Sequence, residues 1–253
     1  MSRLFIFGLG YSASHIAQAA QARGWEVIST GTQGSIRFDD AASVRMGLDG
    51  ATHILSSVPP MADGDPVLET YGAELQAART RGLWLGYLSS TGVYGDVGGA
   101  WVDESAPIKG RRANRNEADL DWQELGARVF RLPGIYGPGR SALDRIAEGR
   151  AHRIDMADQV FSRIHVADIV SGVLAGFAGP SGVYNLADDL PCGQNAVIEY
   201  GCDLLGRAYP PLQSMDAAGL SPMARAFYAE NRRVANGKAK RLLRWQPRYA
   251  DYR

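Results

Sequence analysis

Hydrophobic and polar positions follow two rhythms along this chain. Short apolar runs, Leu4 to Phe7, Val27 to Ser29, His53 to Ser56, Trp84 to Leu88 and Val129 to Leu132, have the length and residue types of buried strands. Between them Tyr11 to Arg23, Pro66 to Arg81 and Asn114 to Gly126 carry apolar residues at helical spacing and end near glycines, as helices do. A short strand over Ile36 to Phe38 and a helix over Ala41 to Met46 fit the third unit. This alternation predicts an α/β fold with a doubly wound parallel sheet of the Rossmann kind.

The rhythm changes after Arg140, where shorter elements separated by Gly and Pro take over. The pattern there predicts a hairpin over His152 to Ile164 turning at Ala157-Asp158, a helix over Val166 to Phe177, a strand over Val183 to Leu186 and a helix over Asn195 to Leu205. It divides the chain into a sheet domain, 1–140, and a smaller C-terminal lobe, 141–253. Ligands of open parallel sheets bind beyond the carboxyl ends of the strands, so the loops after residues 8, 30, 57, 88 and 132 are expected to converge on one cleft.

Composition narrows the partners. The 253 residues are 45% hydrophobic, and Lys plus Arg and Asp plus Glu both number 27, with no basic tract of the kind that holds nucleic acid or an anionic membrane. Arg111, Arg112 and Arg115 form the densest early basic cluster, which a solvated helix start accounts for. No apolar stretch approaches the ~20 residues that span a bilayer, and the first strand is too short for a signal peptide, so a cytoplasmic location is expected. Cys192 and Cys202, ten residues apart on what reads as one helical region, and four scattered histidines (His15, His53, His152, His165) give no disulfide framework and no metal-ligand spacing.

Candidate chemistry starts where the first strand runs into Gly8-Leu-Gly10-Tyr-Ser-Ala13 and then a helix. Gly8 permits the tight turn, Gly10 lets the backbone approach a pyrophosphate, and Ala13 is small enough for the helix to pack on the strand. The amides of Tyr11, Ser12 and Ala13 at the helix start would hold the phosphates of a dinucleotide. An Asp or Glu at the end of the second strand would favour NAD, and none is present. Thr32 and Gln33 there leave room for a 2'-phosphate, which favours NADP over NAD, with Arg37 a more remote contact.

Four segments in order, Gly8-Leu-Gly-Tyr-Ser-Ala13, Ser89-Ser-Thr-Gly-Val-Tyr-Gly95, Arg131-Leu-Pro-Gly-Ile-Tyr-Gly-Pro-Gly139 and Ser162-Arg-Ile-His-Val-Ala-Asp168, resemble the extended or atypical short-chain dehydrogenases/reductases, of the sugar-nucleotide epimerase and dehydratase type. The likeness runs from residue 3 to about residue 190. It implies that 1–140 binds NAD(P) and that the lobe binds a small-molecule substrate. Ser90, with Thr91 as its alternative, matches the hydroxyl that hydrogen-bonds the reacting oxygen. Asp39 resembles the residue that meets the adenine edge, and Val58 with Pro59 the wall beside the cofactor ribose.

The resemblance breaks at the general acid/base, a Tyr four residues before a Lys. Counting back from Glu117, the Tyr position falls at Lys109 and the Lys position at Ala113, so the pair is absent. Lys109, if buried, or Tyr94 from the adjacent loop would be the substitutes, while Arg111 or Arg112 would position a substrate carboxylate or phosphate. Arg163 is a candidate for an anionic substrate group or a buried ion pair. His165 and Asp168 are expected to be structural, Asp168 capping the helix that follows and His165 bonding the loop after Tyr136. Arg233 or Asn236 would border the substrate pocket. Relatives commonly form homodimers through the two helices that here include Pro66 to Arg81 and Asn114 to Gly126. The leading function is an NAD(P)-dependent oxidoreductase or epimerase/dehydratase-like protein acting on a small polar or nucleotide-linked hydroxyl or carbonyl compound. Its rival is a non-catalytic NAD(P)-binding redox sensor or regulator.

Overall fold

The first apolar run becomes β1 (Arg3–Phe7), followed by α1 (Tyr11–Gln21). The chain repeats the step through β2 (Glu26–Ser29), α2 (Ala41–Asp49), β3 (His53–Ser56), α3 (Pro66–Thr80) and β4 (Trp84–Ser90). A 3-10 turn (Thr91–Tyr94) and the short β5 (Trp101–Val102) lead to α4 (Ala113–Glu124) and β6 (Arg128–Leu132). Then come β7 (Gly134–Tyr136), α5 (Ala142–Ala147), β8 (Arg153–Ile154), β9 (Arg163–His165), α6 (Val166–Gly176), β10 (Gly182–Asn185) and α7 (Gln194–Leu205). The chain finishes with β11 (Leu212–Gln213), α8 (Pro222–Tyr228), β12 (Arg233–Val234) and α9 (Gly237–Leu242). This computed structural model describes residues 2–253.

The central sheet has six parallel strands in the order β10-β6-β4-β3-β1-β2. Both faces are covered, and the period-2 alternation of β1 divides its residues between them. Leu4 and Ile6 pack with Ile16, Trp84, Phe130 and Ile169 on one face, and Phe5 and Phe7 with Leu75, Tyr87, Trp122 and Val129 on the other. From β1 the chain steps outward to β2 and then returns to place β3 on the opposite side. The crevice where dinucleotides sit in such sheets therefore opens between the loops after β1 and β3.

Three expectations are corrected. The strand over Ile36 to Phe38 reduces to one bridge, Thr30 to Ile36, so β2 is the edge of the sheet. The backbone at Gly34 turns so sharply that a Cβ there would lie 2.5 Å from the Ser29 carbonyl oxygen, and Phe38 leaves the strand direction to pack on Phe7 and Tyr71. The hairpin over His152 to Ile164 is also absent: β8 pairs in parallel with β11 and β9 in parallel with β7. Cys192 lies in the loop ahead of α7, and only Cys202 is helical. The residues after 140 also return to the sheet, because β10 is its other edge strand and α6 packs beside α1. His53, on β3, is enclosed by the rings of Trp25, Trp84 and Phe177, and that burial lowers its pKa to about 4.

Candidate active site

The glycine turn has the geometry its sequence requires. Gly8 adopts φ +80°, and its amide donates to Thr30 Oγ1 at 3.1 Å while the Leu9 amide donates to the Thr30 carbonyl at 2.9 Å. A Cβ on Gly8 would come within 2.8 Å of Val58 Cγ2, so the loop after β3 closes directly on the turn. Gly10 caps α1, and no heavy atom lies within 4 Å of where its Cβ would be. No side chain caps α1 and its first turn carries no acidic residue, which leaves the first helix amides without a side-chain acceptor. These residues fit a pyrophosphate. Tyr11 donates its hydroxyl to the Pro138 carbonyl at 3.0 Å, and the Arg140 guanidinium lies 4.3 Å over its ring. No sequence pattern marks Arg140 as part of this site, since only the folded loop brings residue 140 to the start of α1. Pro59, Thr32 and Gln33 are exposed around the same crevice. Asp39 and Arg37 are exposed too and bond each other at 2.7 Å, which holds the Asp39 carboxyl below its ordinary pKa.

Beyond the carboxyl ends of β4 and β6 lies a cavity of about 250 Å³. Ser90, Thr91 and Gly92 form its floor, Leu132 to Gly134 one side, and Phe161, Ser162, Phe227, Glu230 and Arg232 the side given by the C-terminal part. The start of α4 supplies Arg111, Arg112 and Arg115. Ser90 Oγ accepts the Gly92 amide at 3.1 Å and still lines the cavity, so it has both the turn-forming and the cleft-facing role open to it.

The two substitutes for the missing acid/base pair stand elsewhere. Tyr94 is buried under the sheet end, donating to Asn185 Oδ1 at 2.7 Å and accepting from Arg131 Nη1 at 3.0 Å. Burial raises its pKa, so the phenol stays protonated and out of the cleft. Lys109 has an exposed side chain and does not line the cavity, and its amide donates to the Val93 carbonyl at 2.8 Å. Glu117, from which the spacing was counted, is exposed. The anchoring acid is Asp119, fully buried, which accepts from Ser89 Oγ and takes two hydrogen bonds from Arg131 at 2.6 and 3.1 Å. Counted back from Asp119, the same spacing falls on Arg115 and Arg111, both in the cleft. An Arg-x-x-x-Arg pair thus lines the cleft, and among the described residues no Tyr or Lys does.

Glu230 bridges two of the cleft arginines, Arg111 at 2.7 Å and Arg232 at 2.6 Å. Burial pushes the Glu230 carboxyl up, but the hydrogen bonds and charges of these two guanidiniums hold it below its ordinary value. Arg233, the first residue of β12, points the other way, its guanidinium on the Gly99 carbonyl, while Arg232 just before it and Val234 after it line the cavity. The cleft cation is therefore Arg232 rather than Arg233. Asn236 is spent on the Ala187 carbonyl and Asp189. Arg163 is likewise removed from the cleft: it is buried and donates to the Phe161 and Cys192 carbonyls, Cys192 Sγ and Gln194 Oε1. Beside it Asp188 is 2% exposed, neither carboxylate oxygen has a protein partner among the described residues, and burial raises its pKa to about 7. His165 caps α6 by accepting the Ala167 amide at 3.1 Å and stacks on Tyr249 at 3.7 Å. Asp168 does not cap; it accepts the Arg248 and Tyr249 amides at 2.7 and 2.9 Å.

Comparison with known proteins places this geometry. No protein-family model matches the chain. A solved structure, described as a functionally unknown conserved protein from Silicibacter pomeroyi DSS, is 40% identical with a TM-score of 0.88 and covers 100% of this chain and 96% of its own. The chain belongs to the same family as that protein. The fold is shared with solved NAD-dependent epimerases. The Helicobacter pylori ADP-L-glycero-D-manno-heptose-6-epimerase superimposes with a TM-score of 0.77 at 16% identity over 99% of this chain and 92% of its own. The Thermus thermophilus UDP-glucose 4-epimerase, in complex with NAD, does so at 0.70 and 19% identity over 99% and 95%. Protein YeeZ of Escherichia coli K12 is 24% identical over 257 residues, 85% of this chain and 88% of YeeZ.

Proposed function

We propose that the protein is an NAD(P)-dependent oxidoreductase or epimerase/dehydratase-like enzyme acting on a small polar hydroxyl or carbonyl compound. The observation that carries this reading is the presence of two features at the carboxyl ends of one sheet: a glycine turn after β1 that leads into an uncapped helix, and a cavity floored by Ser90 at the end of β4, two strands away. A bound nicotinamide would supply the hydride donor or acceptor. Ser90 then holds the substrate oxygen by hydrogen bonding it. With Tyr94 and Lys109 outside the cleft, Glu230 and solvent are the proton carriers left to it. The absence of an acidic residue after β2 favours NADP, with Thr32 and Gln33 as contacts. A cytoplasmic location and a homodimer through α3 and α4 complete this reading. No described helix is long and apolar enough to cross a membrane.

The second reading, a cofactor-binding sensor without turnover, is favoured by the arginines that line the cleft where no Tyr or Lys does, since an arginine does not release its proton at neutral pH. Calorimetric titration with NADPH, NADP+, NADH and NAD+, with Gly10→Asp as control, tests both. Micromolar binding of one nucleotide that Gly10→Asp abolishes supports a cofactor site, and hydride transfer to a carbonyl substrate separates the enzyme from the sensor. Absence of binding by all four nucleotides would remove both readings.

A further inference from the structure

The chain as a whole is electrically balanced, with 27 basic and 27 acidic residues, but the cleft is not. Four arginines and one glutamate line a cavity of about 250 Å³. Arg111 and Arg232 share Glu230 between them and also donate to the Ala226 and Gly95 carbonyls. The other two cations have nothing comparable: neither the Arg112 nor the Arg115 guanidinium has a carboxylate within 4 Å or a hydrogen-bond acceptor among the described residues. Arg115 is partly buried, and loss of solvent pulls its pKa below the usual guanidinium value. Withdrawing a guanidinium from water without giving it an anion is costly, so its retention over the substrate floor points to an anion that arrives with the ligand. The start of α4 adds to this potential, for it has no side-chain cap and no acidic residue in its first turn.

The size of the cavity limits what carries that charge. Ligand pockets for drug-sized molecules run from about 300 to 1,000 Å³. A nucleotide-linked sugar, with base, ribose, two phosphates and hexose, exceeds a space of about 250 Å³. The apolar side chains of Leu132, Val160 and Phe227 on the walls suit a short carbon skeleton. Building on the oxidoreductase reading above, we propose that the substrate is a small hydroxyl or carbonyl compound with a doubly charged anionic end, a phosphate ester or a pair of carboxylates, gripped by Arg112 and Arg115. Planar guanidiniums bind both groups in the same bidentate way.

The test is calorimetric titration of the full chain at fixed ionic strength with a triose phosphate, inorganic phosphate, succinate, acetate and UDP-glucose. A dianion should bind at least tenfold more tightly than acetate. Arg115→Gln and Arg112→Gln should each weaken it tenfold or more, Arg115→Lys should restore part of the loss, and Arg150→Gln, remote from the cleft, should change nothing. Preference for the triose phosphate assigns a phosphate ester, and preference for succinate a dicarboxylate. Equal weak binding of all five probes, dianion binding untouched by both Gln variants in a folded protein, or UDP-glucose as the tightest ligand would each overturn the proposal. Nucleotide titration of the Gly10→Asp variant is read separately. Dianion binding that persists when no nicotinamide nucleotide binds leaves this proposal standing without the cofactor reading, and the converse result does the opposite.

Discussion

Replacing Asp188 by Asn should remove from the protein's stability a pH response that runs opposite to that of most carboxylates. Asp188 is 2% exposed and neither oxygen is hydrogen-bonded among the described residues, so burial raises its pKa from 3.8 to about 7. The folded state then binds a proton that the unfolded chain has already lost between about pH 4 and pH 7. Stability from this group is fully present below pH 4, falls through that window and is flat above it. A shift of about three units at ~1.4 kcal/mol each is on the order of 4 kcal/mol, a large part of a typical folding free energy. His53 works the other way: its pKa is lowered from 6.5 to about 4, so the contribution it makes above pH 6.5 is lost on acidification. The two slopes oppose each other in the wild type, and the difference between wild type and Asp188→Asn isolates one of them. Urea unfolding of both proteins at intervals from pH 4.5 to 8 should show the variant gaining roughly 3 to 4 kcal/mol relative to wild type as pH rises. A difference that is independent of pH, or that moves against the variant as pH rises, would refute the assignment of Asp188 as a buried, unpaired acid.

Three further outcomes follow from contacts described above. Asp119→Asn strands the buried Arg131 guanidinium and should cost about 3 to 5 kcal/mol in urea unfolding. Gly34→Ala forces a Cβ to within 2.5 Å of the Ser29 carbonyl and should destabilise the fold by about 1 to 3 kcal/mol, also read by urea unfolding. With a substrate that turns over, Ser90→Ala should lower kcat by roughly 10²-fold with a smaller change in KM, and an unchanged kcat would remove Ser90 from the reaction.

The sheet was legible in the sequence because buried parallel strands are short apolar runs, and β1, β3, β4 and β6 stand within a residue or two of where the runs lie. What failed was pairing over long distances. β8 and β9 are two and three residues long and find their partners at Leu212 and Gly134, so no local pattern distinguishes them from a hairpin. The site was half legible. Ser90 and Thr91 reach the cleft as their strand end requires, but whether Tyr94 faces ligand or core depends on Arg131 and Asn185, 37 and 91 residues away. Glu117 and Asp119 look alike as letters, and only the folded helix shows which one faces the sheet; Arg232 and Arg233 are adjacent letters, and only the folded chain shows which one reaches the cleft.

On α4, anchoring and chemistry occupy different turns. Asp119 and Trp122, deep in the helix, fasten it to Arg131, Ser89 and Asp65, while Arg111, Arg112 and Arg115 at its entrance touch the cleft and contribute little to that fastening. Mutation can therefore rewrite the entrance without loosening the helix. That separation makes this first turn the natural place to diversify when new specificities are selected in the laboratory.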